Sequence, residues 1–233
     1  MKIGIIVAMD KELQLLLPLL DQSETRSVDG FELNMGVIAA AEVCIMKCGI
    51  GKVNAALGAR ALIQDFAPDL IINSGVAGGT GGSAKVLDVV AATAIGYHDV
   101  WCGPGTQWGQ AAGCPLRMPC AMQVLNAESI KSNPSVKFGV VASGDIFVDS
   151  RSVVDHVLNL YPDAVGVDME SGAIAQTCLR FSVPFSCLRV ISDTPGEVAD
   201  NGAQYASFWN AAPQKTFEII KDLLNEKNTL IHD

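Results

Sequence analysis

Short apolar runs alternate with stretches in which apolar residues recur at helical spacing, and the alternation persists along the whole chain. Residues 2–9 form the first such run and read as a buried strand. Leu13, Leu16, Leu17 and Leu20 then share one face of a helix over 11–20, with Asp10 placed to cap it. Asp29-Gly30 marks a turn into a strand at 31–38, and a second strand follows at 42–50. After Gly49-Ile50-Gly51 breaks the chain, Val53, Ala56, Leu57, Ala61 and Leu62 predict a helix over 52–66. A strand at 69–74 leads into a glycine-rich turn at 75–82, and a Val/Ala-rich strand is expected at 86–95. Beyond a long loop at 99–119, the pattern predicts a helix near 120–131, a strand at 136–142 and a helix at 152–160. A strand at 164–169, a helix at 171–181 and a strand at 185–192 follow. An irregular stretch at 194–203 and a last helix over 207–226 complete the order. Strands and helices in this alternation predict one α/β domain over 1–233: a three-layer αβα sandwich with a mixed, mostly parallel central sheet.

Composition narrows the class. The chain is 49% hydrophobic and only 18% charged, enough to bury a large core in 233 residues. No apolar run approaches the ~18 residues of a membrane span, so no membrane partner is expected, and the apolar start reads as a core strand and not a leader. A net charge of −9 without a Lys/Arg cluster argues against a nucleic-acid partner. The seven cysteines include no CxxC pair, and His98, His156 and His232 lack ligand spacing. Free buried thiols in a reducing cytoplasm are expected, with no metal and no cofactor.

Candidate chemistry lies where apolar strands end in carboxylates. Asp10 and Glu12 follow Ile5-Ile6-Val7, Asp168 and Glu170 follow Val165-Gly166-Val167, and Asp193 closes Arg189-Val190-Ile191-Ser192. A carboxylate is costly to bury unless it is paired or used, and the C-terminal edge of a parallel sheet is where ligands bind in open α/β folds. Glu12 also has a plain structural role open to it, as an acid in the first turn of a helix. Residues 75–82 do not fit the dinucleotide fingerprint, and Gly51-Lys52 does not fit a phosphate-binding loop. The glycines instead offer bare backbone against which a ligand can lie. Carboxylates for sugar hydroxyls and proton transfer, beside apolar surface for a base, suit a small-molecule nucleoside.

Several motifs in this order resemble those of the bacterial 5′-methylthioadenosine/S-adenosylhomocysteine nucleosidases, within the nucleoside phosphorylase superfamily. They are Met1–Ile6, Ala8-Met9 with Glu12, Gly49–Val53, Ile71–Gly75 with Ala77-Gly78-Gly79, Tyr97-His98-Asp99, Gly109-Gln110, Gly113-Cys114-Pro115, Ser143-Gly144-Asp145 with Phe147, Met169-Glu170 and Arg189–Asp193. The resemblance implies hydrolysis of the N-glycosidic bond of a 5′-substituted adenosine, with adenine released; 5′-deoxyadenosine would be a further substrate. It makes Asp193 the general acid toward adenine N7, positioned by Ser192, and Glu12 the residue that activates water. Glu170 would bind the ribose hydroxyls. Met9 and Met169 would line the sugar with Arg189 nearby, and Phe147 would stack on adenine while the backbone at Phe147 and Val148 reads its edge. Ile50, Val76, Ala77, Gly78 and Tyr205 complete the implied binding set, with Phe208 beside Tyr205 at the 5′ pocket. The family is dimeric, which implies a homodimer whose loop near 100–115 reaches the neighbour's 5′ pocket.

These roles are chemically coherent. For Asp193 to be half protonated at pH 7 its pKa must rise by about 3 units from about 3.9, worth ~4 kcal/mol, and desolvation supplies shifts of that size. Glu12 at a helix N-terminus is expected to favour the anion, which suits a base. Val76 stands where family members often carry a small polar residue, and Asp168 replaces a more usual Glu. Segments 100–112 and 194–204 also depart from the common pattern, and both border the 5′ pocket in the family. The nearest rival reading is therefore a futalosine or aminodeoxyfutalosine hydrolase. A phosphorylase would need arginines near the first strand end or the glycine-rich turn, where the sequence has only Lys11.

Overall fold

In the computed structural model, which describes residues 1–39, 41–197, 200–211 and 214–226, ten strands join in one sheet. The centre is parallel: β1 (Lys2–Val7) lies between β4 (Ala41–Lys47) and β5 (Leu70–Gly79), and β5 continues onto β10 (Phe185–Asp193). Beyond β4, β3 (Phe31–Ile38) and β2 (Asp21–Val28) extend the sheet as antiparallel strands. On the other side, β10 pairs antiparallel with β6 (Val89–Tyr97), which pairs parallel with β8 (Val136–Ser143). The two-residue β7 (Met118–Pro119) pairs with β6. β8 in turn runs parallel to β9 (Ala164–Asp168), whose end meets Gly78 and Gly79 of β5. The strands β5, β10, β6, β8 and β9 therefore close into a ring, and the sheet curls around the end at which β5, β9 and β10 finish.

Alternation along β1 explains the layers. Ile3, Ile5 and Val7 point to one face, where α1 (Asp10–Leu16) and α8 (Gln214–Asn225) bring Leu13, Leu16, Ile220 and Leu223. Ile6 points to the other, with Cys44 and Met46, against α2 (Lys52–Phe66) and α6 (Ser171–Phe181). A third cluster seats α5 (Arg151–Leu160) on β8 and β9 through Val154, Val157 and Tyr161. Layers of helix on both sides of a mixed sheet agree with the expected fold class. Six of the seven free cysteines are buried within this core; Cys102 is exposed.

Several local expectations change. Strand β2 reads Asp-Gln-Ser-Glu-Thr-Arg-Ser-Val and has no apolar period, because it is an exposed edge held by its antiparallel pairing with β3. The glycines 75–79 are not a turn: they continue β5, since β10 and β9 supply ladder partners as far as Gly79. Asp10 is not the cap of α1. Met9 takes the cap position, and Asp10 is an exposed first-turn residue paired with Lys47 at 2.7 Å. The helix over 11–20 stops at Leu16, and Leu17–Leu19, with Pro18, form a 3₁₀ turn. The helix near 120–131 is two short ones, α3 (Met122–Leu125) and α4 (Glu128–Lys131). The last helix begins earlier, at Asn201, within the stretch read as irregular; its described residues are α7 (Asn201–Ala211) and α8 (Gln214–Asn225), and 212–213 lie outside the described residues.

Candidate active site

The ends of β5, β9 and β10, the start of α1 and the turn before α2 surround one cleft. Counting its open mouth it encloses about 600 Å³. Its wall brings together Glu12, Glu170 and Asp193 with Met9, Ile50, Val76, Ala77, Gly78, Phe147, Val148, Met169, Arg189, Ser192 and Tyr205. These residues lie up to 196 positions apart in the chain, yet Tyr205 Oη reaches Met9 Sδ at 3.4 Å. Phe208 does not join them. One helical turn further along α7 its ring meets the core layer of α1 and α8, where it is buried with Leu13 and Ile220.

Glu12 is 1% exposed and lines the cleft at the start of α1. Its Oε2 accepts backbone N–H groups from Ala8 (2.8 Å) and Met9 (2.9 Å), and its Oε1 accepts from Val76 at 3.0 Å. The side chain thus closes the first turn of α1 and ties it to β5. Gly75 makes room for it: φ is +143°, and a Cβ there would fall 2.5 Å from Glu12 Oε1. Burial raises the Glu12 pKa, against the pull of Arg189 and the three N–H donors. The expected preference for the anion is therefore outweighed, because desolvation exceeds what the helix start offers.

Asp193, 3% exposed, ends β10. Ser192 Oγ lies 2.5 Å from its Oδ1 and 3.2 Å from the Ala77 carbonyl oxygen. Burial raises its pKa; the Ser192 hydroxyl and the Asn201 amide lean the other way. Gly78 lies alongside, where a Cβ would come within 3.5 Å of Asp193 Oδ2.

Glu170 lines the same cleft at the start of α6. Its Oε1 accepts the Gly51 N–H at 3.0 Å, and Arg189 Nη2 lies 3.4 Å from its Oε2. Burial pushes its pKa up to about 7, with Arg189 pulling it down and Asp168 pushing it up. The Gly51 turn is itself fastened: Lys52 N donates to Asp145 Oδ1 at 2.8 Å, and Lys52 Nζ pairs with Asp99 at 2.8 Å. This gives the Tyr97-His98-Asp99 and Ser143-Gly144-Asp145 motifs a common task.

Arg189 is 1% exposed and, among the described residues, is the one cation lining the cleft. It forms ion pairs with Asp168 and Glu170 and donates to Asn73 Oδ1 at 2.7 Å. Asn73, whose Nδ2 donates to the Ile6 carbonyl at 2.9 Å, was quoted above only within a motif. Its signal was an amide in the apolar run Leu70–Ile72. Asn201 left no such signal, since it falls in a stretch without period. Among the described residues no cluster of acids, histidines and cysteines could hold a metal ion.

Phe147 is half-exposed at the mouth and meets Tyr205 edge-on, with centroids 5.7 Å apart. Loop 99–119 contributes nothing to this cleft's wall. It carries Trp101 and Trp108 outward as a stacked pair, 5.5 Å apart and 8° from parallel.

The family model of the phosphorylase superfamily matches residues 2–225. The S-adenosylhomocysteine nucleosidase of Streptococcus pyogenes, solved with 5-methylthiotubericidin, is 32% identical over 97% of this chain and 96% of that one, with a TM-score of 0.91. The 5′-methylthioadenosine/S-adenosylhomocysteine nucleosidase of S. pneumoniae, solved with the transition-state inhibitor MT-ImmA, is 32% identical over 98% and 100% of the two chains, with a TM-score of 0.90. A futalosine hydrolase mutant from Helicobacter pylori is 26% identical over 97% and 99%, with a TM-score of 0.88. With a family model spanning nearly the whole chain and relatives above 30% identity along their full lengths, this chain belongs to the phosphorylase superfamily, in its 5′-methylthioadenosine/S-adenosylhomocysteine nucleosidase family.

Proposed function

We propose that this protein hydrolyses the N-glycosidic bond of 5′-methylthioadenosine and S-adenosylhomocysteine, releasing adenine. The observation that carries the reading is that two buried acids line one cleft: Asp193 beside a serine hydroxyl and Glu12 on three backbone donors. Asp193, its pKa raised by burial, holds a proton for adenine N7. As the bond from C1′ breaks, its electron pair passes to adenine N9, and protonation at N7 makes that departure possible. Glu12 takes a proton from water as the water oxygen bonds to C1′. A base is most effective when its pKa lies near the working pH, so the upward shift of Glu12 suits the task as long as the anion remains populated. Glu170 binds the ribose hydroxyls; Met9, Met169 and Tyr205 pack the sugar and its 5′ group; Phe147 covers the base.

Hydrolysis is favoured over phosphorolysis because the cleft's one guanidinium is already committed to two carboxylates and Asn73. Adenine release from methylthioadenosine, followed with and without phosphate, tests this; a requirement for phosphate would refute hydrolysis. Futalosine as a second substrate separates the related hydrolase: preferential turnover of futalosine would replace the present substrate assignment.

The exposed row Ile50, Val53 and Leu57, together with the Trp101–Trp108 stack, supports a homodimer in which loop 99–119 covers the partner's 5′ pocket. Sedimentation of the Trp108→Ala variant is expected to give a weakened dimer and a raised KM. The six buried free thiols support a reducing, cytoplasmic location.

A further inference from the structure

Two carboxylates pair with Arg189, and they do not share it evenly. Asp168 makes the closer ion pair with Nη2, while Glu170 is 3.4 Å away from the same atom. Asn73 Oδ1 accepts from Nη2 at 2.7 Å and the Val76 carbonyl from Nη1 at 3.3 Å, so the guanidinium is held from the β5 side as well. Asp168 is itself fixed: its Oδ2 accepts the Ser171 N–H at 3.0 Å and its Oδ1 accepts the Ser171 hydroxyl at 2.8 Å. Both members of the pair are buried, so neither contact is screened by water. Nothing in the reaction described above gives Asp168 a part.

We propose that Asp168 is a positioning residue of this site: by holding the Arg189 guanidinium on itself, it keeps that cation from closing on Glu170 and leaves the Glu170 carboxylate free to turn to the ribose. The inference rests on the reading of Glu170 as the ribose-binding acid. A bridging arrangement in which Arg189 sat squarely on Glu170 would occupy the lone pairs that sugar hydroxyls need. The bland alternative is that Asp168 only caps α6.

The charged and titratable groups around Glu170 are Arg189 and Cys187 from β10, Asp168 from β9, Glu12 from α1, Tyr205 from α7 and Cys48 after β4. His98 and Tyr97 face Asp168 from the end of β6. In Asp168→Asn a like charge disappears and Arg189 is released toward Glu170. Both changes favour the Glu170 anion, so it would ionise at lower pH than in the parent.

The test compares Asp168→Asn with Ser171→Ala, which removes the capping hydroxyl and leaves the ion pair. For Asp168→Asn the low-pH limb of kcat/KM should move down by about one pH unit. The nucleoside KM should rise about tenfold, the scale of one charge-assisted hydrogen bond, with a much smaller change in kcat. Ser171→Ala should lower Tm and leave both the limb and KM in place. A ¹³C titration of the side-chain carboxyls of ligand-free protein, with Glu170 assigned from Glu170→Gln, should find Glu170 titrating near 7. An Asp168→Asn variant that loses Tm alone would overturn the proposal. So would a parent Glu170 that titrates like an ordinary glutamate, a result obtainable even if Asp168→Asn does not fold. If no nucleoside is cleaved at all, the substrate reading fails while the ¹³C titrations still decide the claim about Asp168.

Discussion

Glu12 and Asp193 are both buried carboxyls of one cleft, and different groups surround them. Glu12 receives three backbone N–H groups, fixed in place by the first turn of α1 and by β5, and feels Arg189. Asp193 has the Ser192 hydroxyl at 2.5 Å from one oxygen and Gly78 alongside the other, and it feels the Asn201 amide. Burial lifts both pKa values. On the Glu12 wall the opposition comes from Arg189 and three backbone N–H groups; on the Asp193 wall it comes from the Ser192 hydroxyl and the Asn201 amide. The proposed base and acid therefore share a lift by burial and differ in what opposes it.

The largest effects should come from neutral amides at the two positions. Glu12→Gln and Asp193→Asn are each expected to lower turnover by about 10²–10⁴, measured as adenine release. Their stabilities should differ. The Gln amide turns an NH₂ toward a backbone N–H that needs an acceptor, an unsatisfied contact costing about 1–3 kcal/mol. Asn at 193 imitates the protonated acid and should leave Tm nearly unchanged. Equal losses of Tm in the two variants would break the comparison.

Gly75→Ala probes the Glu12 wall without touching its charge. A Cβ would approach Glu12 Oε1 to 2.5 Å and Arg189 Nη1 to 2.6 Å at a backbone angle that suits glycine. Displacing the base by such a contact should cost about 10²-fold in kcat/KM. A variant with parental kinetics would mean that the position of Glu12 is not critical.

The stability of the ligand-free protein should depend on pH through Glu170. Its folded pKa, about 7, exceeds the ordinary 4.5. The folded form therefore binds the proton more tightly than the unfolded one. This contribution is full below pH 4.5 and is lost as pH rises through 7. Glu170→Gln should flatten the fall in Tm between those limits, which scanning calorimetry across the range would read.

The smallest effect is expected from Ser192→Ala. The hydroxyl holds the Asp193 pKa down against burial; without it the high-pH limb of kcat should move upward by less than about one unit. A downward movement would reverse the sign assigned to the Ser192 contact.

Much of this was legible in the residues because burial writes itself as pattern. The strands at 2–7, 31–38 and 185–193 and the helices at 52–66 and 171–181 carry apolar periods long enough to identify them. The acids at the ends of β9 and β10 stood out against those same apolar runs. Elements whose partners are remote left no such trace. β2 is polar on both faces, so only its ladder to β3 makes it a strand. Gly75–Gly79 has the composition of a turn, and only the neighbouring β10 and β9 hold it extended. Phe208 fits a pocket wall by type, but which layer takes its ring depends on how α7 lies against α1 and α8.

The sequence by itself determined the α/β class, most of the order of elements and the family, and it singled out candidate acids, since local propensity and periodic burial depend on near neighbours in the chain. The tertiary structure decided the closure of β5, β10, β6, β8 and β9 into a ring, the meeting of Glu12, Glu170 and Asp193 in one cleft, and the commitment of Arg189 to Asp168. The proton state of each acid belongs to that second set, because a pKa answers to desolvation and to charges a few ångströms away in space, however distant they are along the chain.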